Sequence, residues 1–463
     1  ATATKLALTA NALIIIKAHI QNTYAASAFT AMDFTANGYA AEINGLGFQK
    51  DDFSPITIST SRGSMNFTGY SGSTLTTSNH FGVVSNNTTI SAGNDGNITI
   101  VGDTRAAAGS GANCAGVYFY GNSAITTTNG NININSIAAP TTGDGNIGIF
   151  INNTSISASG SGNIDITATG VGSGASSDNN YGIYETGTST ISTVSGNLTF
   201  NGNGGSGTGS GQIGIIVNGG ATLSSTSGTI DLTGVGKSGS GFNYGIQLTN
   251  AGTAISCASG SIILDGTGGN SAGAANYGVY LSAGAQVNST GTGASAATIN
   301  VTGAAGSGTG NIFGIYVTGS SSQIASTDGT VTIHGTGGNG TTYSYGVYLY
   351  NSALLTSETG NIDITGQGGN NSSHYSSGFV LDSSTVSSTG TGADAATITI
   401  TGTRGNGVNA NLGVYLADSG GGDSSITSVT GNINITAGSS GTVTGTGNHG
   451  LWIANGSNIT STG

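Results

Sequence analysis

Aromatic side chains recur at one position of a motif that is repeated along this 463-residue chain. This aromatic motif is a Gly followed by an aliphatic, an aromatic and a second aliphatic residue, as in Gly278-Val279-Tyr280-Leu281. Side chains alternate between the two faces of a strand, so an aromatic between two inward aliphatics points outward. Outward rings stacked at about the 4.8 Å strand spacing can bind sugar rings or a neighbouring molecule. The predicted outward aromatic ladder is Tyr118, Phe150, Tyr184, Tyr280, Tyr316, Tyr348, Tyr415 and Trp452.

The aromatic ladder can instead be interpreted as part of the packing. A long segment rich in Gly, Ser and Asn precedes each aromatic motif, and that segment can fold over the rings and bury them. Ile216, Gln247 and Val380 stand at the aromatic position in three other copies. A second aromatic column directly precedes the Gly of the motif. Alternation places its residues on the same side as the inward aliphatics, so we expect them to pack in the core. Its members are Phe81, Tyr181, Tyr244, Tyr277, Phe313 and Tyr345.

Acidic residues are spread too evenly to predict a catalytic centre. A glycosidase needs two carboxylates about 5–9.5 Å apart. Asp165 and Asp231 are two repeats apart, roughly 10 Å at the strand spacing, and no basic residue accompanies them. Glu185 stands where other copies carry an aliphatic residue, so its carboxyl could be perturbed. We expect instead that the strand ends early and turns Glu185 outward, and we predict no enzymatic activity.

Histidines and acids give no metal-binding motif. His80, His374 and His449 each precede the Gly of an aromatic motif. The closest two lie two repeats apart, about 10 Å, which is too far to share a metal. Asp side chains and loop carbonyls can bind Ca²⁺, but the Gly-Gly-x-Gly-x-Asp nonapeptide typical of calcium-binding repeats does not occur. The sequence therefore predicts no cofactor.

Two further motifs accompany the aromatic motif in each repeat of about 33 residues. The aliphatic motif reads Gly-Asn-Ile-x-Ile, as at Gly96 and Gly130. The Ser/Thr motif is a short Ser/Thr-rich segment around one aliphatic residue, as at Ile90 and Ile125. Each motif alternates apolar and polar residues with period two, which indicates a half-buried strand. Three strands that stack on their equivalents one repeat later form a coil of a parallel β-helix.

The predicted fold is therefore an all-β, parallel β-helix solenoid of about 14 coils with three short strands per coil. Ile98 should lie over Ile132 in an inward aliphatic ladder, while outward residues such as Asn133 should hydrogen-bond between coils. Residues 1–62 are predicted to form shorter, less Gly-rich coils, and residues 63–463 to form the regular Gly-rich repeats. Both belong to one continuous solenoid in this prediction.

Composition argues against several classes of function. The net charge is −12, and the seven Lys and Arg residues are scattered, so nucleic-acid binding is disfavoured. No run of about 18 apolar residues predicts a transmembrane segment. Cys114 and Cys257 are more than four repeats apart, too far for an internal disulfide.

The repeats resemble the filamentous haemagglutinin-like and autotransporter-like β-strand repeat proteins of bacterial surfaces. The resembling residues are Leu6-Ala-Leu-Thr-Ala-Asn, Ile14-Ile-Ile and Ile20, followed by the Gly-Asn-Ile-x-Ile and Ser-x-Thr-Gly units along nearly the whole chain. The resemblance implies a right-handed β-helix that is secreted to the cell surface and serves adhesion, aggregation or matrix building. The chain departs from that family because it shows no secretion domain, barrel or cell-wall anchor.

These observations favour an extracellular structural and adhesive rod, a segment of a secreted or surface-attached bacterial adhesin. The expected partners are other copies of the chain, neighbouring rods, and host or bacterial surface glycans. One alternative is a filament or sheath subunit whose coils stack end to end. A second alternative is a β-helix that binds or cleaves polysaccharide.

Overall fold

The structure, a computed structural model, covers most of the chain in thirteen stretches. It describes residues 5–10, 14–22, 30–37, 44–48, 55–70, 78–104, 110–137, 142–170, 177–392, 394–419, 421–439, 445–454 and 456–463. The chain divides into two compact units, Ala1–Ile230 (unit 1) and Asp231–Gly463 (unit 2). The predicted change at residue 63 falls within unit 1 and stays a prediction about the character of its coils.

The predicted fold class is confirmed, because each unit is an all-β parallel solenoid with three short strands in each repeat. Turns of about 33 residues number about twelve, slightly fewer than the coils predicted. The N-terminal coils are less regular. Leu6 pairs with Met32 in a coil shorter than the others. The pairing of strand Thr30–Asn37 with strand Ser64–Tyr70 shifts register between Thr30 and Met32.

In unit 1 the three motifs form three parallel sheets. The aliphatic motifs form β1 (Leu6–Ala10), β4 (Thr30–Asn37), β7 (Ser64–Tyr70), β10 (Ile98–Asp103), β13 (Ile132–Ile137), β16 (Ile164–Thr169) and β19 (Leu198–Asn203). The aromatic motifs form β2 (Ile14–Ile16), β5 (Asn44–Phe48), β8 (Phe81–Asn86), β11 (Ala115–Tyr120), β14 (Ile147–Asn152), β17 (Ile183–Thr186) and β20 (Ile215–Val217). The Ser/Thr motifs form β3 (Ile20–Asn22), β6 (Ile56–Thr60), β9 (Thr88–Ala92), β12 (Ala124–Thr127), β15 (Ser155–Ala158), β18 (Thr190–Thr193) and β21 (Thr222–Ser225).

Unit 2 repeats this arrangement after β22 (Ile230–Val235). Its aliphatic motifs form β25 (Ser261–Thr267), β28 (Thr298–Ala304), β31 (Val331–Thr336), β35 (Ile362–Gln367), β39 (Ile398–Arg404) and β42 (Ile433–Ser439). Its aromatic motifs form β23 (Ile246–Thr249), β26 (Val279–Ser282), β29 (Ile315–Thr318), β33 (Val347–Tyr350), β37 (Phe379–Asp382), β40 (Leu412–Ala417) and β43 (His449–Ile453). Its Ser/Thr motifs form β24 (Ala254–Cys257), β27 (Gln286–Ser289), β30 (Gln323–Ser326), β34 (Leu354–Ser357), β38 (Thr385–Ser388), β41 (Ser425–Ser428) and β44 (Asn458–Ser461). Two short loop strands, β32 (Gly340–Thr342) and β36 (Asn371–His374), pair with each other, and a 3₁₀ turn spans Gly293–Ser295.

The core is a set of aliphatic ladders, as the alternation predicts. Ile98, Ile132 and Ile164 pair in register and are fully buried. Burying such a side chain contributes about 1.5–3 kcal/mol. Because every coil repeats the same inward positions, the hydrophobic stabilisation is distributed along each unit.

Paired glycines allow the aliphatic strand to approach the aromatic strand of the next motif. A Cβ on Gly266 would lie 2.2 Å from the carbonyl oxygen of Gly278, and a Cβ on Gly278 would lie 2.5 Å from the backbone nitrogen of Ala304. No side chain fits at either position. The glycine that opens the aromatic motif is therefore required by close backbone contact.

Buried amide side chains form a ladder two residues before the Gly of several aromatic motifs. In unit 1 Asn146 donates from its backbone nitrogen and its Nδ2 to Oδ1 of Asn180, at 3.2 and 3.3 Å. Asn180 in turn donates from Nδ2 to Oε1 of Gln212 at 3.1 Å. In unit 2 Asn243 donates from Nδ2 to Oδ1 of Asn276 at 3.1 Å. This amide ladder satisfies backbone groups where the chain leaves the loop and enters the strand.

The turns before the aliphatic strands carry another amide ladder, two residues before the Asn133 column that the sequence singled out. Asn97 and Asn131, each directly after a motif Gly, accept from the backbone nitrogens of Asn131 and Asn163 at 2.7 and 2.9 Å. Asn163 accepts from the backbone nitrogen of Asn197 at 2.8 Å. The side chains that bridge these coils are thus those in the turn before the strand.

Candidate functional site

The predicted aromatic ladder lies on the outer face of the aromatic strands, in register from coil to coil. All its members are half-buried except Trp452, which is 44% exposed. The loops therefore cover the rings only in part. Neither of the two simple interpretations, full exposure or full burial, describes the ladder, and its binding role stays a prediction.

The ladder of unit 1 is short, with Tyr118, Phe150 and Tyr184 as its members. The ring centroids of Phe81 and Tyr118 lie 4.5 Å apart, and those of Tyr118 and Phe150 lie 4.7 Å apart, both pairs stacked. Tyr184 meets Phe150 edge-on at 5.3 Å. Ile216 ends this run and is buried.

The ladder of unit 2 is longer and formed by tyrosines. Tyr316 stacks on Tyr280 at 5.4 Å and on Tyr348 at 5.2 Å, with the rings within 11° of parallel. Tyr415 and Trp452 meet at 5.9 Å. Burial raises the pKa of Tyr316 to about 12, and a hydrogen bond with Thr318 offsets part of this effect. The Tyr316 phenol therefore stays neutral at physiological pH.

The second aromatic column is buried in unit 2, but it packs beside the outward ladder. Tyr277 stacks on Tyr244 at 5.0 Å and on Phe313 at 5.2 Å, and the Tyr277 ring also meets the outward Tyr280 at 5.4 Å. Tyr345 continues the column. These residues precede the strand, so strand parity does not govern their direction. The expectation of packing holds for these four, whereas Phe81 and Tyr181 in unit 1 are only half-buried.

A column of left-handed backbone conformations stands three residues before each motif Gly. In unit 1 its members are Asn79, Asn113, Gly145, Asn179 and Gly211. Asn and Gly tolerate positive φ at low cost.

In unit 2, by contrast, Tyr343 and Tyr375 adopt φ of 50° and 63° at this position. Bulky residues are rare there, and such conformations cost of order 1–3 kcal/mol each. The two rings are parallel within 1° at a centroid distance of 4.9 Å, and Tyr343 is 40% exposed. Strain of this kind concentrates at ligand sites.

The strained tyrosines and the ladder enclose a cavity of about 290 Å³ in unit 2. Its wall is formed by Asn311, Phe313, Tyr343, Tyr345, Tyr348, Tyr375, Val380, Asp382, Tyr415, Ala417 and Ser419. Asp382 is the one ionisable carboxyl in this lining and is 4% exposed. Its oxygens accept from the backbone nitrogen of Ser419 at 2.8 Å, the hydroxyl of Ser383 at 3.2 Å and the hydroxyl of Tyr348 at 3.3 Å. The Ser419 hydroxyl also donates to it.

A cavity of about 250 Å³ occupies the corresponding place in unit 1. It is lined by Asn79, Phe81, Asn113, Cys114, Ala115, Tyr118, Gly145, Ile147 and Phe150. Three aromatic rings and small side chains form most of this wall, and Asp or Glu residues do not contribute to it. Cys114 and Cys257 are buried and form no disulfide, and burial raises the pKa of both thiols.

The expectation that Glu185 turns outward is wrong. Glu185 lies within β17, in register with Ile151 and Val217, and is fully buried. Neither carboxyl oxygen has a hydrogen-bond partner. Burial raises the pKa of Glu185 well above its usual range, so the carboxyl is protonated inside the aliphatic core.

The other candidate residues do not gather into a site. Asp165 lies in β16 and is half-buried. Burial, with a smaller effect from the Asp265 carboxyl, raises the pKa of Asp231. His80 is buried, whereas His449 is exposed and meets Trp452 edge-on at 5.2 Å. Within the part of the chain that the structure describes, no three His, Cys, Asp or Glu side chains form a metal-binding group.

Sequence reasoning missed Tyr343, Tyr375 and Asp382. The signal was present for the tyrosines, since both stand three residues before a motif Gly, where unit 1 carries Asn or Gly. Asp382 carried a weaker signal, as an acid at an outward strand position that Tyr350 occupies in the preceding coil.

Comparisons with known proteins give no match: no family model, no curated protein and no solved structure matches this chain. No helix among the described residues is long and apolar enough to cross a membrane. The fold and the geometry of the cavities are therefore the basis for any functional proposal.

Proposed function

We propose that this chain is an extracellular structural and adhesive β-helix, a segment of a secreted or surface-attached bacterial adhesin. The observation that carries the proposal is the pair of stacked tyrosines, Tyr343 and Tyr375, held at the mouth of an aromatic cavity in strained backbone positions. Asn or Gly would relieve that strain, so the rings are kept for contact with something outside the fold.

The rest of the solenoid supports a scaffold role. Its aliphatic ladders run from coil to coil, and amide ladders join several of the coils. Glu185 is sealed in the core and cannot touch a substrate. Partly exposed aromatic faces with neutral phenols suit contacts with sugar rings or with the surface of another protein.

Adhesion is tested by attaching the purified chain to beads and measuring bead retention on bacterial and epithelial cell layers under flow. The variant is the double substitution Tyr343→Asn and Tyr375→Asn, because Asn311 occupies the same left-handed position with φ of 54°. We expect retention to fall at least tenfold while the melting temperature is maintained or rises.

The matched control is Phe242→Asn, which removes another exposed aromatic residue from the same column, at φ of 57°. We expect this control to bind cells as the wild type does. Equal retention of wild type and double variant would remove the tyrosine pair from the proposal, and no retention of the wild type on any cell layer would overturn adhesion itself.

The filament alternative, in which coils stack end to end, stays a prediction of the sequence. Electron micrographs of the purified chain separate the two functions: periodic polymers favour the filament, and isolated particles favour adhesion.

A further inference from the structure

One rung of the tyrosine ladder in unit 2 is missing. Tyr348 pairs with Val380, and Val380 pairs with Tyr415, so the valine separates two aromatic positions of the ladder. Val380 lines the cavity together with both tyrosines. Two strand spacings separate Tyr348 from Tyr415, about 9.6 Å along the stack.

That separation matches the insertion of one ring. Within the intact part of the ladder the centroids lie 5.4 and 5.2 Å apart, from Tyr280 to Tyr316 and from Tyr316 to Tyr348. A ring placed halfway between Tyr348 and Tyr415 would lie about 4.8 Å from each. It would thus contact an aromatic face on both sides, with the apolar Val380 beneath it.

The side of the cavity next to this gap is polar. Asp382, two residues after Val380, is held by donors from Ser419, Ser383 and Tyr348. Each carboxyl oxygen has two acceptor sites, so these donors and the Ser419 hydroxyl fill all four of them. Asp382 therefore holds the Ser419 hydroxyl in place, and the oxygen of that hydroxyl can itself accept a hydrogen bond. Ser419 is exposed and brings its hydroxyl to the same place.

The volume of the cavity and the charge of Asp382 limit which ligands can bind. The volume of about 290 Å³ lies at the lower limit of small-molecule pockets, which span roughly 300–1,000 Å³, so one ring with its substituents fits. Asp382 repels an acidic group at this position. A site with a flat aromatic face on both sides and a hydrogen-bond acceptor at its edge is complementary to a pyranose ring with free hydroxyls.

We propose that the Val380 gap binds one uncharged hexopyranose unit of a surface polysaccharide, with the sugar ring between Tyr348 and Tyr415 and its hydroxyls on Ser419. The assignment rests on the proposed adhesive function, because it names the ligand that the adhesive surface would contact. The unit 1 cavity lacks an acidic edge, and we do not assign it the same ligand.

The test is isothermal titration calorimetry of the full chain with methyl glycosides of glucose, galactose and mannose, and with methyl glucuronide as the acidic comparison. Small sugars bind weakly, so we expect a Kd on the order of millimolar for at least one neutral glycoside. Glucuronide should bind at least tenfold more weakly than that sugar. Binding of none of the neutral glycosides, or tighter binding of glucuronide, would overturn the assignment.

The decisive variant is Val380→Tyr, which fills the missing rung with the residue found at Tyr316 and Tyr348. We expect it to lose sugar binding at least tenfold and to keep its melting temperature. Ile216→Tyr, which fills a ladder position of unit 1, is the matched control and should bind as the wild type. If Val380→Tyr does not fold, Tyr415→Leu removes one face of the site, and we expect the same loss of binding.

Bead adhesion of the Val380→Tyr variant distinguishes the two proposals. Loss of both sugar binding and cell retention supports the sugar site as the adhesive contact. Unchanged sugar binding in both Val380→Tyr and Tyr415→Leu overturns the site, even where wild-type beads adhere. Wild-type beads that never adhere overturn the adhesive function, and in that case the titrations alone decide whether the cavity binds the sugar.

Discussion

Two buried carboxyl side chains, one in each unit, stand in aromatic strands and have opposite surroundings. Glu185 in unit 1 points inward between Ile151 and Val217 and has no hydrogen-bond partner for either oxygen. Asp382 in unit 2 is as deeply buried, yet it accepts hydrogen bonds from a backbone nitrogen and from hydroxyls. The difference follows from the face of the strand on which each residue lies.

This contrast shows what each face of the coil can tolerate. Beside Glu185 the inner face offers the apolar side chains of Ile151 and Val217, so burial there favours a neutral acid. Outside the tube, loops and strand ends supply donors that satisfy a buried acid. Function can therefore develop on the outer face with little cost to the core, whereas a polar residue inside is a local weakness of the solenoid.

The largest expected effect is a dependence of the stability of unit 1 on pH. The pKa of Glu185 is raised in the folded state, so its contribution to stability is complete below the unfolded pKa of about 4.3. The free energy of unfolding should then fall by about 1.4 kcal/mol for each pH unit until the pH reaches the folded pKa. Urea unfolding between pH 4 and pH 9 measures this slope, and a flat profile would show that Glu185 ionises freely within the fold.

Replacing each of the two buried acids with leucine should change stability in opposite directions. Glu185→Leu removes an unsatisfied polar group and should stabilise unit 1 by about 1–3 kcal/mol, and it should abolish the pH slope. Asp382→Leu is the matched change in unit 2. It removes the acceptor of the Ser419 backbone nitrogen and of the Tyr348 hydroxyl, so it should lower the free energy of unfolding by a similar amount. Denaturant midpoints of the two variants should move in opposite directions; movement in the same direction would refute the contrast.

A smaller loss is expected from the amide ladder of unit 1. Asn180→Ala removes the acceptor of the buried backbone nitrogen of Asn146 and the donor to Oε1 of Gln212. We expect a cost of about 1–2 kcal/mol, which thermal unfolding followed by circular dichroism would measure. Thr199→Ala on a half-exposed strand position is the control, and equal losses in both variants would show that the ladder adds nothing specific.

The smallest effect should come from single rings of the ladder. Tyr316→Leu removes the central ring between Tyr280 and Tyr348 and should cost about 0.5–1.5 kcal/mol beyond the lost burial. Phe150→Leu, which has one stacked and one edge-on neighbour, should cost less. A double-mutant cycle of Tyr280 with Tyr316 measures the stacking energy directly, and a coupling near zero would argue against stacking as a source of stability.

The fold and the ladder could be predicted because both depend on local alternation. Tyr280 points outward and Val279 inward wherever the backbone is a strand, and the register follows from the repeat. The same reasoning failed for Glu185, since the chemistry of the side chain suggested an outward turn while the backbone continued as a strand. The aliphatic ladder on both sides of it held the register.

Period-two alternation and a regular repeat specify the coil, the inward aliphatic ladders and the outward aromatic column with its interruption at Val380, so these could be read from the residues alone. The contact of Tyr343 with Tyr375, the donors that Ser419 supplies to Asp382 and the cavity beside Val380 emerged with the folded chain. These features depend on loop paths and on contacts between coils, where no short periodicity constrains the direction of a side chain.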